Sequence, residues 1–286
     1  MKKLLLILLC LPMIGFGQQL TYIPDSIFEH FLENNGTGNG IANDHYVFTS
    51  SIDTITLLEF PSLPPPIPPG FLIYDLTGIE DFTSLTILDI EDHQLTTINL
   101  SQNINLLDLH CEGNPISSLN LNTNVNLRYL DANNCLLTSI NLTTNSNLER
   151  LDLSMNQLTS LDLRQNSSLY DLECDSNYQL SILDLRNGNN TLMWDIEANN
   201  IPNLTCISVD DPAWATATWV GGNFEFDSQH YFSNNCPPPS AIQEHTTNKE
   251  LLKVTDILGR ETKEKRNKLL FYIYDDGKVE KKIILE

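Results

Sequence analysis

From Leu85 to Leu192 the apolar and polar positions follow one pattern that repeats. Leu85, Leu106, Leu127, Leu148 and Leu169 fall at a constant step of 21 residues. Numbered from these residues, leucine recurs at positions 1, 4, 11, 14 and 16, with Ile98, Ile116 and Ile140 as variants. Position 6 holds Ile90, Cys111, Ala132, Leu153 and Cys174. The unit opening at Leu148, LERLDLSMNQLTSLDLRQNSS, shows the pattern most cleanly. These spacings do not fit one face of a 3.6-residue helix. They fit a coil that bends several times and turns an apolar residue inward on each side. Positions 4 and 6 are two apart, as in a strand whose alternate residues share a face. Self-similarity at this period predicts a solenoid.

Asparagine punctuates the bends. Asn114, Asn156 and Asn177 hold position 9, with His93 and Cys135 as departures, and Asn103, Asn124, Asn145 and Asn166 hold position 19. An Asn inside a bend bonds backbone groups of its own coil and the next, which a buried bend requires. The role predicted for these Asn is structural.

The pattern L-x-x-L-x-(apolar)-x-x-N-x-L resembles the leucine-rich repeat, and Cys135 stands where that family accepts Cys for Asn. The resemblance covers five consecutive units. It implies a right-handed, mostly β leucine-rich repeat solenoid with a parallel sheet on its concave side. A 21-residue unit leaves no room for a full convex helix, so extended or turn segments are expected there. A parallel β-helix is the alternative fold.

The flanks divide the chain further. Residues 1–17 are expected to be a signal peptide: Lys2 and Lys3 precede an apolar run, Leu4 to Ile14, too short to span a membrane, and cleavage is expected between Gly17 and Gln18. Residues 18–84 form an N-terminal cap and leading coil. In it Ser26 and Glu29 make an S-x-x-E capping box ahead of the helical stripe Ile27, Phe28, Phe31 and Leu32. The Gly/Asn-rich stretch from Asn34 to Asn43 is expected to be a plain turn, Phe48 to Phe60 to be β-structure, and Pro61 to Pro69 an exposed loop. Residues 85–209 carry the repeats, whose fifth unit drifts to 23 residues, Leu169 to Leu192, before a degenerate coil with Ile196 and Ala198 inward. An aromatic C-terminal cap of β type spans 210–236, and 237–247 has the composition of a linker.

Residues 248–286 change character, with 10 of the 16 basic residues of the chain. Val254 to Arg260 (VTDILGR) is similar to the I-x-D-x-x-G-R segment of type IX secretion sorting domains. Phe271 to Leu285 is similar to their closing hairpin, turning at Asp276-Gly277. The segment lacks the Y-P-N-P start, so the resemblance is to a reduced variant. It implies the type IX secretion machinery as a partner, and a secreted or cell-surface destination reached through the periplasm and outer membrane.

Charge sharpens the functional reading. Residues 18–247 keep four basic residues, Arg128, Arg150, Arg164 and Arg186, against 29 acidic ones. Nucleic acid and anionic membranes are poor partners for such a body; basic proteins and divalent cations are better ones. No later segment is apolar and long enough to span a membrane. Cys111, Cys135 and Cys174 occupy repeat positions and are expected as buried thiols. Cys206 and Cys236 remain, both in the C-terminal cap, and are the expected disulfide of an exported chain.

Catalytic patterns such as H-E-x-x-H, G-x-S-x-G and the P-loop are missing, and no C-x-x-C pair suggests zinc. Position 5, on the solvent side of the concave strands, runs Asp89, His110, Asp131, Asp152, Glu173 and then Glu197. Position 3 runs Ile87, Asp108, Tyr129, Arg150 and Asp171, continued by Asp195; position 7 runs Glu91, Glu112, Asn133, Ser154 and Asp175. These residues are the expected binding face, with Tyr170 and Trp194 at its edge, for an unknown, cationic protein or glycan. Like charges at strand spacing should raise some of their pKa values. No cofactor or metal is required, although calcium is compatible with the acids. The alternative is a carbohydrate-active or other hydrolase using the column. A uniform column offers one environment repeatedly, whereas a working acid pair needs two contrasting ones, so a binding surface is the preferred reading.

Overall fold

The computed structural model describes residues 18–60, 69–237, 251–256, 259–263, 269–274 and 279–283. The expected signal peptide with Gly17, the Pro61–Pro68 stretch, most of the linker and the Asp276-Gly277 turn lie outside these residues. The chain divides into two compact units, Met1–Pro237 and Pro238–Glu286.

The first unit is a β-solenoid of the leucine-rich repeat type. Its concave face is an eight-stranded parallel sheet. The strands are Leu57–Glu59, Ile87–Asp89, Asp108–His110, Tyr129–Asp131, Arg150–Asp152, Asp171–Glu173, Asp195–Ala198 and Phe224–Phe226. The sheet thus starts before the first full repeat and runs on into the C-terminal cap. On the opposite side the later coils form a second parallel sheet from Ser160–Asp162, Ile182–Asp184, Cys206–Ser208 and Tyr231–Ser233. Convex helices are replaced by turns and short strands, as the coil length dictates. Between the faces lies one continuous core, in which the leucines of positions 1, 4, 11 and 16 are fully or nearly fully buried.

Two buried asparagine ladders tie the coils together. At position 9, Asn156 Nδ2 donates to Ala132 O of the preceding coil at 2.8 Å and to Leu153 O and Ser154 O of its own, while its Oδ1 accepts from Leu137 N. Asn114 and Asn177 repeat this arrangement. At position 19, Asn103, Asn124, Asn145 and Asn166 each donate to two carbonyls of the preceding coil, for example Asn145 Nδ2 to Leu121 O and Asn124 O. The departures substitute weakly: His93 Nδ1 accepts from Ile73 N at 3.4 Å, and Cys135 Sγ lies 3.5 Å from Cys111 O.

Position 8 shows a feature the sequence did not disclose. Asp92, Gly113, Asn134, Met155, Ser176 and Asn200 all have φ between 50° and 68°. Six of the eight concave strands, Ile87–Asp89 to Asp195–Ala198, therefore leave through a left-handed residue, and the position-9 side chain closes the bend that follows. Only Gly113 adopts this geometry without cost; Met155 and Ser176 hold it against their preference.

Several expectations are corrected. The helix Ser26–Asn34 is capped by Asp25, not by a Ser26–Glu29 box. Asp25 Oδ1 accepts from Ile27 N and Phe28 N, and its Oδ2 from Tyr74 N of the leading coil, so one carboxylate serves two elements. Glu29 is instead buried and accepts from Asp44 N. Within Phe48–Phe60, Thr49–Ile52 is a helical turn rather than β. The fifth coil spans 24 residues by register, because Asp171 pairs with Asp195. That places Met193, which is buried, at position 1 and leaves Leu192 half exposed. The C-terminal cap also contains a helix, Pro212–Thr218, capped by Asp211. Trp219 closes the core there against Phe224, Phe226 and Phe232.

Cys206 and Cys236 are disulfide-bonded with their Cα atoms 5.7 Å apart, and Cys111, Cys135 and Cys174 are buried free thiols, as expected. The Asn34–Asn43 stretch is a turn held by Glu33, whose carboxylate accepts from Asn39 N and Gly40 N.

The second unit is a three-stranded antiparallel sheet, Leu251–Thr255, Leu269–Tyr274 and Val279–Ile283, with Val254, Leu270 and Tyr272 as its small core. Asp256 and Arg260 close a turn: Arg260 N and Nε donate to the Asp256 carboxylate at 3.0 and 2.9 Å, and Gly259 supplies a φ of 75°. The D-x-x-G-R signature is thus a local structural device.

The ladders predict an unequal pair of substitutions. Asn145→Ala removes two buried hydrogen bonds to carbonyls that each keep a backbone N–H, and should cost about 1–3 kcal/mol. Asn147→Ala, which removes one exposed bond to Val125 O, should cost under about 1 kcal/mol. Urea unfolding of both variants checks the difference.

Candidate recognition face

The strand register sets the candidate face. Because partners pair residue for residue, position 5 becomes one continuous column: Glu59, Asp89, His110, Asp131, Asp152, Glu173, Glu197 and Glu225. Neighbours stand at strand spacing, ~4.8 Å. Glu59 and Glu225 extend the column at both ends. Leu57-Leu58-Glu59 has the same apolar-Leu-acid form as Ile87-Leu88-Asp89, a signal that could have revealed the first of them. Phe224-Glu225 carries too little of the repeat pattern to be placed without its pairing.

All six expected members of the column are partly exposed. Position 3 behaves differently. Asp171, expected in solvent, is only 6% exposed, because Arg150 lies over it with Nε 2.8 Å from Oδ2. The Arg150 guanidinium also stands 5.6 Å from the centre of the Tyr129 ring. At position 7, Ser154 is buried, whereas Glu91, Glu112, Asn133 and Asp175 are partly exposed. Asp195 is partly exposed and Trp194 half exposed; backbone bonds place Trp194 next to Tyr170 along the edge. Asp108, His110, Arg128, Tyr129, Glu149 and Arg150 line a shallow depression of ≈ 430 Å³.

The positive charges of the body are already engaged. Arg128 pairs with Glu149 at 2.7 Å and Arg150 with Asp171. Arg164 and Arg186 form a chain with Asp162 and Asp184 on the convex side. The four arginines therefore neutralise the edge and the back of the solenoid, and none is paired to the position-5 column.

The consequence is visible in proton affinity. Burial, with Asp131 and Glu91 nearby, pushes the Glu112 carboxyl up to about 8. Burial and then Asp152 raise Asp131 to about 6, and burial with Asp152 and Glu197 raises Glu173 to about 7. Asp89, Asp195 and Glu197 move the same way. The expected upward shifts are present, but partial burial on the sheet is the larger cause and like-charge repulsion the smaller. The shifts also differ in size, so the column is graded rather than uniform. Burial and the neighbouring acids push the Tyr129 hydroxyl up to about 12, leaving it protonated and able to donate.

No known protein family and no curated protein matches the sequence. Among solved structures, the functional domain of InlJ from Listeria monocytogenes, which includes a cysteine ladder, is similar at TM-score 0.56 and 21% identity. The match covers 75% of this chain and 48% of that one. Internalin C2 from the same organism is similar at TM-score 0.53 and 19% identity, covering 74% of this chain and 95% of that one. Its internalin InlF gives 0.52 and 19%, covering 74% and 68%. The fold is that of leucine-rich repeat proteins. The chain spans about half the length of the InlJ domain it matches. Among the described residues no helix is long and apolar enough to cross a membrane.

The raised carboxyls give a signed pH dependence. Glu173 is protonated more in the folded than in the unfolded chain between its ordinary 4.5 and about 7. It therefore costs stability as pH rises through that window. After discounting for solvent screening, Glu173→Gln should stabilise the protein by on the order of 1 kcal/mol at about pH 8, and by nothing measurable near pH 4. Urea unfolding at the two pH values checks it.

Proposed function

We propose that this protein is an exported recognition or adhesion module that binds a positively charged ligand through the concave face. The observation that carries this is the unpaired acidic column. Its carboxylates are stacked at strand spacing on a rigid sheet while all four arginines of the body are engaged elsewhere. A basic partner relieves the repulsion within the column and regains the ionisation energy lost to burial. Proteins present clustered Lys and Arg more readily than glycans present positive charge, so a protein ligand suits the face better. Tyr129, Tyr170 and Trp194 supply aromatic contact beside the charges. The disulfide suits an oxidising compartment, and leucine-rich repeat folds are recurrent recognition scaffolds.

A surface array of proteins and glycans, screened with the whole protein, tests the reading. Binding to a basic array member should fall at least tenfold in the variant Asp152→Asn with Glu173→Gln. It should survive in Asp75→Asn with Asp210→Asn, which removes the same net charge from exposed sites of the solenoid off the column. Asp162 and Asp184 would be poor controls, since each holds an arginine. Equal losses in both double variants would reduce the effect to bulk charge. Hydrolysis of an array glycan, abolished by Asp152→Asn, would favour the enzymatic alternative.

The second unit is the export signal in this reading, supported by its separation as a compact unit and by the Asp256–Arg260 turn that its signature builds. Removing residues 248–286 should strand the protein in the periplasm. Normal surface display of the truncated chain, measured by protease shaving of intact cells, would contradict that role.

A further inference from the structure

Within the graded column one group stands apart, because it is not purely acidic. His110 and Asp131 are direct register partners on adjacent strands. Glu112, two residues beyond His110, faces the same way. Each residue can offer one atom, an imidazole nitrogen or a carboxylate oxygen, such that all three lie within 4.8 Å of one another. Glu112 Oε2 is shielded from solvent, and the Glu112 carboxyl also meets that of Glu91 in a side-chain hydrogen bond. Asp131 is oriented from behind, with Oδ1 accepting from Asn133 N at 3.1 Å, and the Tyr129 ring packs on His110 with centroids 4.6 Å apart. Position 5 holds His only here; elsewhere it is Asp or Glu.

We propose that His110, Glu112 and Asp131 bind a divalent transition-metal ion of the zinc type. One imidazole and two carboxylates match the donors such ions take, and the two carboxylates balance the charge of the ion. Calcium and magnesium prefer all-oxygen shells, so the imidazole selects against them. Ligand atoms around tetrahedral zinc stand about 3.4 Å apart. The three side chains therefore close on the ion by about an ångström, within reach of ordinary χ adjustment on an open face. The ion would also remove the cost of holding Glu112 and Asp131 together. Three protein ligands leave a coordination position open, available to water or to a donor atom of a bound partner. The site stands independently of the recognition reading, because metal binding is measured on the protein alone.

The full chain, stripped with chelator, is titrated with Zn2+ by calorimetry near pH 7.5, and with Co2+ followed by visible absorption. One equivalent of Zn2+ should bind, and Co2+ should give the d–d bands of a four- or five-coordinate ion without thiolate charge transfer. His110→Gln and Asp131→Asn should each weaken Zn2+ binding at least tenfold, while His30→Gln, an exposed residue of the N-terminal helix, should leave it unchanged. Calcium should bind more weakly and indifferently to His110→Gln. Weak binding of several Zn2+ ions insensitive to His110→Gln would overturn the proposal in favour of a diffuse counterion cloud. Thiolate bands, placing the ion on Cys111 or Cys135, would overturn it as well, and the cobalt spectrum of the unaltered protein decides this even if a variant fails to fold.

Discussion

A 21-residue coil cannot satisfy its own backbone. It is too short to contain a helix, and its strands have partners only in the neighbouring coils. The structure therefore depends on one constraint, the residue-for-residue stacking of each coil on the last. The buried asparagines enforce it. Asn114, Asn156 and Asn177 bridge the bend after three of the concave strands, and Asn103, Asn124, Asn145 and Asn166 bridge the bend before the next strand. Each amide would be an unpaired polar group in the core without these bonds, which is costly, and at position 19 it adds a second donor to carbonyls that a backbone N–H already serves. The fit is not complete: Oδ1 of Asn103, Asn124 and Asn166 is buried without a partner. The ladder is carried by its donors.

Stacking at fixed register has an electrostatic price that the fold does not avoid. Whatever stands at position 5 in one coil faces its counterpart in the next, and here the counterparts are mostly acids. Independent surface carboxylates would spread apart; on this sheet they are held by strand pairing and by leucines on the other side of the same strands. The protein answers by keeping protons on some of them and by placing its few arginines where they do not interfere. Arg150 covers Asp171, and the Asp162–Arg164–Asp184–Arg186 chain neutralises the back. The result is a charge asymmetry between the two faces of one solenoid, on which the proposed recognition of a basic ligand rests.

Much of this was legible in the residues because a repeat converts sequence spacing into spatial contact. The inward positions, the structural asparagines and the position-5 column follow from the period alone. The failures have local causes. Leu192 and Met193 are both apolar neighbours after an insertion, and only the pairing of Asp171 with Asp195 decides between them. Asp25 and Ser26 are both competent caps; the long-range bond from Tyr74 N to Asp25 settles the choice. The left-handed position 8 was hidden because Met155 and Ser176 have no preference for that conformation. Arg150 and Asp171 are 21 residues apart and so neighbours by the period, and their pairing removes Asp171 from the solvent face. Glu225 was missed because its strand lies where the repeat pattern has decayed.

The register forces the concave carboxylates into an environment where several resist ionisation. A side-chain carboxyl titration by carbon-detected NMR on the intact protein tests it most directly. Glu173 and Glu112 should titrate above pH 6, well separated from the exposed acids of the surface, which titrate near 4. If every concave carboxyl titrates with the exposed ones near 4, the column is an ordinary solvated surface and the account of the face is wrong.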